Sequence, residues 1–190
     1  MLDFKVVLCD RANIKQIIEQ NHYSKSINGI HSQFCFKLMS GNILLGGMIY
    51  GKPAMFRQFK KYCDNEDDII ELRRLALLDE APKNSESFFI GKTLRWLKQN
   101  TRIKLVLSYA DPNFGHEGII YKATHFKYVG LTSNTKVIIY NNKKYHDKTI
   151  RAKYNGVLKP YALKLKYALD NGEAYYKKQN GKHIYLYKLC

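Results

Sequence analysis

The spacing of apolar residues in the first fifty positions predicts three strands and one helix. Three segments have the length and apolar character of strands: residues 4–9, 34–38 and 43–51. Three isoleucines recur at helical spacing between residues 11 and 20, so a helix is expected there, with Asp10 as its N-cap. The Ser-Gly-Asn sequence at residues 40–42 lies between the last two strands and predicts a β-hairpin.

Residues 69–77 form a predicted strand that carries charged residues in its middle. Simple alternation places Glu71 and Arg73 on one face of this strand, and Leu72 and Arg74 on the other. A solvated edge strand explains these charges, and so does a strand whose arginine contacts a phosphate or a substrate. The segment before it mixes charges of both signs and predicts a long surface loop.

A helix that could hold a phosphate group follows this strand. Apolar residues at helical spacing predict the helix over residues 88–98, with Asn84 or Ser85 as its N-cap. Its first turn offers backbone amides, hydroxyl groups and the positive end of the helix dipole. An ordinary capped helix has the same pattern, so the sequence alone leaves both interpretations open.

The buried strand predicted at residues 104–107 ends in polar residues that include Ser108 and Asp111. Enzymes with α/β architecture place reactive groups at the carboxyl end of such strands, where a crevice lies open beyond a rigid sheet. We therefore expect the active site here. A helix from about residue 115 to residue 126 is predicted next, with Ile119 on its apolar face.

The last third of the chain predicts paired strands, one helix and a final strand. Residues 127–132 and 137–140 flank a Ser-Asn-Thr turn, so we expect them to pair with each other. Pro160 begins the predicted helix, which ends at Asp170 before an Asn-Gly pair. Residues 182–189 alternate as a final strand.

Charge is the most informative part of the composition. The chain has 32 Lys and Arg against 16 Asp and Glu, a net charge of +16 at pH 7, which favours a nucleic acid as partner. An AT-rich genome also enriches lysine, but evenly, whereas here the excess follows Lys136. Basic residues and tyrosines alternate in this part, as suits phosphates and stacked bases. A solvated, charged surface is the alternative. The predicted DNA contacts are Lys143, Lys144, His146, Lys148, Arg151 and Lys153.

Length and cysteine usage limit the class of protein. A chain of 190 residues predicts a single domain over residues 1–190, with residues 136–190 as its basic C-terminal part. No apolar run approaches membrane-spanning length, and the N-terminus lacks a secretory signal, so we expect a cytoplasmic protein without membrane contact. Cysteines at positions 9, 35, 63 and 190 have no CxxC spacing, which predicts reduced thiols.

The order of these elements is similar to that of the GNAT acetyltransferases. Residues 69–132 resemble the acyl-CoA-binding half of that fold, and IIYKATHFKYVG resembles its helix-to-strand segment, in which a tyrosine near the thioester often acts as general acid. The resemblance implies an α/β (α+β) protein with a central mixed sheet flanked by helices and a basic C-terminal extension. PKNSES at residues 82–87 replaces the superfamily's glycine-rich pyrophosphate loop.

Three motifs make the chain similar to a narrower family, the bacteriophage Mom DNA-modification proteins. They are NHYSKS at residues 21–26, ELRRLALLDEAPKNSESFFIGKTLRWL at residues 71–97 and SYADPNFGHEGIIYKATHFKYVG at residues 108–130. The likeness implies conversion of adenine in double-stranded DNA to N6-methylcarbamoyladenine, with acetyl-CoA as the donor and protection from host restriction as the result. A phage protein of this kind acts in the host cytoplasm, and a homodimer is compatible with the likeness.

The same resemblance singles out catalytic residues, and we hypothesise a role for each of them. Asp111 in the SYAD motif is expected to accept or orient a proton of adenine N6, and Tyr121 to donate a proton to the leaving thiolate. Arg73 is expected to hold the cofactor or to stabilise negative charge. His22 and Tyr23 are expected to line the base pocket.

The remaining predicted site residues lie in the same motifs. Ser108 begins the SYAD motif, and Lys83, Asn84, Ser85 and Ser87 occupy the place of the cofactor phosphates.

Other chemistries remain open on the sequence. His22, Asp111 and His116 have the residue types of a two-histidine, one-carboxylate iron site. A GNAT enzyme that acetylates tRNA or a protein would need the same acyl-CoA crevice with a different acceptor. A DNA-binding protein without catalysis would need only the basic part.

Overall fold

The computed structural model describes residues 4–55 and 57–189, which divide into two compact units. The first unit comprises Met1–Gly130 and His183–Cys190, and the second comprises Leu131–Lys182. In chain order the strands are β1 (Phe4–Cys9), β2 (Phe34–Ser40), β3 (Ile43–Gly51), β4 (Ile69–Leu77), β5 (Leu105–Ala110), β6 (Lys127–Leu131), β7 (Thr135–Tyr140), β8 (Lys143–His146), β9 (Lys153–Tyr154), β10 (Val157–Leu158), β11 (Tyr175–Gln179) and β12 (His183–Lys188). The α-helices are α1 (Arg11–Asn21), α2 (Ser85–Asn100), α3 (Ile119–Ala123) and α4 (Pro160–Asp170).

A seven-stranded mixed sheet forms the frame of the first unit, in the order β1-β2-β3-β4-β5-β12-β6. β4 and β5 run parallel, whereas β5 and β12 are antiparallel. The β4–β5 pairing begins at Ile69 with Leu105 and ends at Glu71 with Leu107. Both strands continue beyond this point, so the sheet opens between them at their carboxyl ends, where the sequence predicted the active site.

Helices cover both faces of this sheet. The core on one face contains Phe89 and Ile90 of α2 together with Val106 of β5. On the other face, α1 packs its isoleucines against Ile49 of β3. Gly47 permits this close approach, because a Cβ atom there would lie 2.8 Å from the Cβ of Ile14. The predicted strand at residues 4–9, the hairpin and the α1 helix are confirmed.

The helix predicted over residues 115–126 is shorter than expected. The chain first forms a 3-10 turn at Pro112–Phe114, and α3 begins only at Ile119. Gly115 and Gly118 adopt positive φ angles of 76° and 78°, which interrupt a helix. The prediction that Ile119 lies on an apolar face was wrong: it is 71% exposed, whereas Tyr121 is buried.

The pairing predicted between residues 127–132 and 137–140 was also wrong. β6 lies beside β12 in the large sheet, while β7 pairs with β8 and β11. The Thr132 N–H donates to the Lys182 carbonyl (2.9 Å), and the Lys182 N–H donates to Thr132 Oγ1 (2.8 Å). The two ends of the second unit are therefore joined, and residues 132–134 connect β6 with β7.

The second unit contains a three-stranded sheet, the antiparallel pair of β9 and β10, and one α-helix. The three strands lie in the order β11-β7-β8, and α4 covers one face, with Ile138, Leu165, Ala168 and Ala174 in the core between them. The predicted bounds of α4 are confirmed.

Two further expectations concern the whole chain. Among the described residues, no helix is both long and apolar enough to cross a membrane. Cys9, Cys35 and Cys63 are free thiols, while Cys190 lies outside the described residues.

Candidate active site

Tyr121 is the central titratable group at the open end of the first unit's sheet. Its ring packs against Phe126 and Tyr185, at centroid distances of 5.4 and 5.2 Å. Burial, with smaller contributions from Tyr23 and Glu71, raises the pKa of the Tyr121 phenol to about 12. The phenol therefore remains protonated at neutral pH and can act as a proton donor.

Ser108 of β5 is a buried neighbour of this phenol. Its hydroxyl lowers the pKa of Tyr121, by less than burial raises it. Within residues 4–55 and 57–189, the Ser108 hydroxyl has no hydrogen-bond partner of standard geometry, although the side chain is fully buried. The hydroxyl is nevertheless close enough to interact with the Tyr121 phenol, so the two residues form a pair of buried hydroxyl groups.

Asp111 holds the turn that follows β5. Its Oδ1 accepts hydrogen bonds from the backbone N–H of Asn113 (3.0 Å) and from its side-chain amide (2.8 Å). Its backbone carbonyl accepts from the N–H groups of Phe114 (3.0 Å) and His116 (3.2 Å). Asp111 is only 4% exposed. The predicted proton acceptor is therefore also the residue that shapes the turn at residues 112–116.

Four rings form what we call the aromatic group: His22, Tyr23, Phe114 and His116. The Tyr23 ring lies 4.2 Å from the ring of His22, 4.4 Å from that of Phe114 and 5.2 Å from that of His116, measured between centroids. The His22 ring is oriented by Ser24, whose Oγ lies 2.8 Å from Nδ1. The two predicted base-pocket residues thus meet two residues of the turn that Asp111 holds.

A β-bulge at Arg73 changes the predicted faces of β4. Ile49 lies opposite Arg74, and Tyr50 lies opposite Leu72, so Arg73 is the extra residue. Leu72 belongs to the core on the α2 side, whereas Arg74 aligns with Ile49, which packs on the α1 side. The prediction that Leu72 and Arg74 share a face was wrong, because the bulge at Arg73 interrupts the alternation and places them on opposite faces. β4 is also an interior strand and not a solvated edge.

Glu71 and Arg73 form a largely buried ion pair next to the site. Arg73 Nε lies 3.3 Å from Glu71 Oε1, and Arg73 Nη1 donates to the Lys52 carbonyl at 3.2 Å. The other Glu71 oxygen accepts from the Ala54 N–H at 2.8 Å. Both side chains therefore hold the beginning of the loop between β3 and β4, and the predicted cofactor contact Arg73 is also a structural residue.

Arg74 connects β4 with the segment that carries the aromatic group. Its Nη1 donates to the Arg73 carbonyl (2.7 Å), and its Nε donates to the Ser26 carbonyl (3.3 Å). Burial lowers the pKa of Arg74, and the nearby Tyr23 phenol acts in the opposite direction. The guanidinium thus stabilises the position of residues 23–26.

A cleft of about 410 Å³ adjoins α3 at the N-terminus of α2. Its lining includes all four predicted phosphate-binding residues, Lys83, Asn84, Ser85 and Ser87, together with Ile119 and Ile120 of α3. Asn84 is the N-cap, so the first turn of α2 leaves backbone amides without an intrahelical acceptor.

The polar side chains of this cleft differ in their contacts and in their charge. The Ser85 hydroxyl is buried and donates to the Pro82 carbonyl at 2.6 Å, so it fixes the loop before the helix. Lys83 is exposed, while Asp79 and Glu86 add negative charge to the lining.

The structure does not form the alternative iron site. Among the described residues, no group of three His, Cys, Asp or Glu side chains is placed to hold a metal ion. Oδ1 of Asp111 is engaged by Asn113, while the rings of His22 and His116 both contact Tyr23.

The predicted DNA contacts all lie in the second unit and are exposed. β8 carries Lys143, Lys144 and His146, and the 3-10 turn Asp147–Ile150 with the residues after it carries Lys148, Arg151 and Lys153. Asp147 pairs with both His146 and Arg151.

Sequence reasoning singled out the charges of Glu71 and Arg74 within a predicted strand but did not assign them to the site, and it missed Phe114. Charges in an apolar strand are unusual, and the structure buries Glu71 and half-buries Arg74, so that signal could have identified both. Phe114 had no such signal, because an aromatic residue after a strand is more often part of the core.

Comparisons with known proteins agree with this geometry. A model of the Mom protein family matches residues 3–190. The methylcarbamoylase Mom of Escherichia phage Mu is 30% identical over 142 residues, which cover 73% of this chain and 58% of the relative. The aligned part of the chain thus spans less than two thirds of that relative's length.

Solved structures share the fold at low identity. An acetyltransferase of Bacillus subtilis in complex with CoA is 11% identical over 100% of both chains, with a TM-score of 0.56. A GNAT family acetyltransferase from Elizabethkingia anophelis with acetyl-CoA bound is 9% identical over 98% of both chains, with a TM-score of 0.56. The predicted α+β GNAT fold is therefore confirmed.

Proposed function

Because the chain belongs to the Mom protein family, we propose that it modifies adenine in double-stranded DNA to N6-methylcarbamoyladenine, with acetyl-CoA as the acyl donor. The phage Mu relative is a methylcarbamoylase, and two acetyltransferases with this fold bind CoA or acetyl-CoA. The observation that carries the proposal is the buried, protonated Tyr121 on α3, the helix that also lines the cleft at the start of α2. The biological result would be protection of phage DNA from restriction.

The cleft at the N-terminus of α2 fits the phosphate groups of an acyl-CoA. Backbone amides of the first turn and the helix dipole favour an anion there, and Lys83 adds a positive charge, which Asp79 and Glu86 of the same lining oppose. Ser87 and Asn84 offer further polar atoms, while Ser85 holds the loop. When bound, acetyl-CoA supplies an activated carbonyl carbon.

Tyr121 is the proposed proton donor to the departing sulfur. Burial keeps its phenol neutral, and the neighbouring Ser108 hydroxyl can hold a polar atom of the reacting group. Arg73 is proposed to stabilise negative charge near the carbonyl, from a position that its ion pair with Glu71 fixes.

Asp111 is the proposed acceptor for a proton of adenine N6. This amine is a weak nucleophile because its lone pair is delocalised into the ring, so removal or orientation of its proton assists attack. His22 and Tyr23 are proposed to line the base pocket, with Tyr23 held in place by its contacts with the rings of His22 and Phe114.

Transfer of an acetyl group alone does not complete the proposed product. The methylcarbamoyl group has a nitrogen between its methyl and carbonyl groups, and acetyl-CoA does not provide that nitrogen in this position. The proposed step is therefore the acyl transfer alone, in which N6 attacks the thioester carbonyl, the C–S bond breaks and coenzyme A leaves. Conversion of the resulting acetyl group is a separate reaction that needs a nitrogen source and a two-electron oxidant, neither of which acetyl-CoA supplies.

The exposed cations of the second unit are proposed to bind the DNA backbone. The only acidic residue in this segment of the sequence is Asp147, which pairs with Arg151. The proposed contacts are Lys143, Lys144, His146, Lys148, Arg151 and Lys153. Each phosphate that such a cation neutralises releases counterions, which favours binding without reading the sequence.

Mass spectrometry of nucleosides tests this function. Plasmid DNA co-expressed with the protein should contain a modified deoxyadenosine whose exact mass identifies the transferred group. Asp111→Ala should abolish it. Asp111→Asn keeps an oxygen that can accept from Asn113 but removes the base, so it should also be inactive while remaining folded.

The other outcomes favour different functions. Activity in Asp111→Asn would leave Asp111 only a structural role. Unmodified plasmid together with acetylated tRNA or protein would show that the acceptor is RNA or protein and not DNA. DNA binding without any acyl transfer would indicate a binding protein.

A further inference from the structure

Phe114 occupies the outer end of the aromatic group. It is 44% exposed, more than any other phenylalanine that the structure describes, although its ring contacts that of Tyr23 at 4.4 Å. Tyr23 and His22 continue the stack behind it, with 32° between the planes of each neighbouring pair. Tyr23 in turn lies close enough to Tyr121 to raise its pKa. The rings of Phe114, Tyr23 and His22 thus form a stack whose outer end lies at the solvent-exposed surface.

The turn that carries Phe114 is fixed by hydrogen bonds. The Phe114 N–H donates to the Asp111 carbonyl at 3.0 Å, and the Gly115 N–H donates to the Pro112 carbonyl at 3.1 Å. Gly115 has a φ angle of 76° and ends the turn directly after the ring. The ring is therefore supported both through the backbone and through its contact with Tyr23.

We propose that Phe114 is a wedge that enters the base stack of duplex DNA in the place of the target adenine. This inference rests on the proposed function and adds how the base is reached. A paired and stacked adenine cannot approach a buried phenol, so the base must leave the duplex. Apolar side chains inserted at a base step are a known means of holding such an opening.

The position of Phe114 suits this role better than a purely structural one. A ring needed only to pack Tyr23 would be expected to be buried, as Phe89 and Phe126 are in the same unit. The wedge is also three residues from Asp111, the proposed acceptor of the N6 proton. The gap that Phe114 fills and the pocket that receives the base are thus parts of one rigid turn.

A fluorescent base measures the opening directly. A set of duplexes is used, each with one 2-aminopurine, so that the set covers every combination of neighbouring bases. Wild-type protein without a donor should raise the 2-aminopurine fluorescence, because the base unstacks. Phe114→Ala should lower the extrusion equilibrium by about 5- to 150-fold, the contribution expected of one stacked ring. Phe114→Trp preserves a stacking face and should retain the rise. Leu8→Ala is the control, because Leu8 is an apolar residue with a similar exposure, 48%, on the edge strand β1, which is four strands away from β5 in the sheet.

A duplex with no base opposite the target adenine separates the wedge from a pocket residue. The adenine in this duplex is already unpaired, so Phe114→Ala should modify it within about twofold of the wild-type rate while remaining about 10-fold or more deficient on paired DNA. A deficit of equal size on both duplexes would overturn the wedge, as would unchanged fluorescence in Phe114→Ala.

The two proposals fail in different ways. A fluorescence rise that depends on Phe114, without any modified nucleoside, would support the wedge and contradict the proposed chemistry. Modified DNA without any rise in fluorescence for the wild-type protein would support the proposed chemistry and contradict the wedge.

Discussion

The two units of this protein use polar residues in opposite ways. In the first unit, the polar groups of the site are buried, as with Ser108, Asp111 and Tyr121. In the second unit, the six predicted DNA contacts are exposed. The second unit has twelve Lys and Arg against three Asp and Glu, whereas the first has twenty against thirteen. The proposed roles agree with this difference, because burial shifts the pKa of a catalytic group such as Tyr121, whereas contacts to DNA phosphates need accessible cations.

Replacement of Tyr121 by Phe gives the largest expected effect. Tyr121→Phe removes the phenolic proton but keeps the ring between Phe126 and Tyr185. Loss of a general acid should lower the modification rate by about 10²- to 10⁴-fold. Single-turnover rates on duplex DNA measure the change, and DNA affinity should be unaltered. A variant with full activity would show that another group donates the proton.

Two glycine substitutions compare how tightly the units are packed. A Cβ atom at Gly118 would overlap the ring of Tyr185, whereas Gly156 in the second unit has open space, and both have positive φ angles of 78° and 79°. Gly118→Ala should lower the free energy of unfolding by about 2 to 4 kcal/mol, because overpacking adds to backbone strain. Gly156→Ala should cost only about 1 kcal/mol. Denaturant unfolding measures both, and equal effects would contradict the difference in packing.

Removal of two cations tests the role of the second unit. The double variant Lys143→Ala with Lys153→Ala should weaken DNA binding and reduce the slope of log affinity against log salt by about 0.9 for each phosphate that is no longer neutralised. The rate at saturating DNA should be unchanged. Lys15→Ala with Lys98→Ala, two exposed lysines on helices of the first unit, is the matched control. The same slope change in both double variants would mean that binding reflects net charge alone.

Alkaline pH should have the smallest effect on the chemical step. A tyrosine with an ordinary pKa of about 10 loses its proton above that pH, but burial raises the pKa of Tyr121 to about 12. Proton donation should therefore persist past about pH 10. In the unfolded chain the same phenol ionises near its ordinary pKa, so stability falls as pH rises from the unfolded towards the folded value. A rate that drops near pH 9, in protein that stays folded, would contradict the assignment of Tyr121.

Sequence and structure agree where local pattern decides, and differ where single residues redirect the chain. Pro160 and the Asn171-Gly172 pair predicted the bounds of α4, and the apolar run at residues 4–9 predicted those of β1. The left-handed conformation of Gly118 shortened α3, and the bulge at Arg73 reversed the expected face of Arg74. Neither feature has a periodic signal. The aromatic group also could not be predicted in full, because Tyr23 and Phe114 are distant in sequence and meet only through the fold.

The most direct test of the proposed chemistry follows a labelled acyl group. Purified protein, duplex DNA and acetyl-CoA carrying carbon-13 in its acetyl group would be incubated with a nitrogen source supplied by cell extract, and the nucleosides would be analysed by mass spectrometry. We predict a modified deoxyadenosine that carries the label and is absent with Tyr121→Phe. A modified deoxyadenosine without the label would contradict the assignment of the cleft at the N-terminus of α2 to the acyl donor.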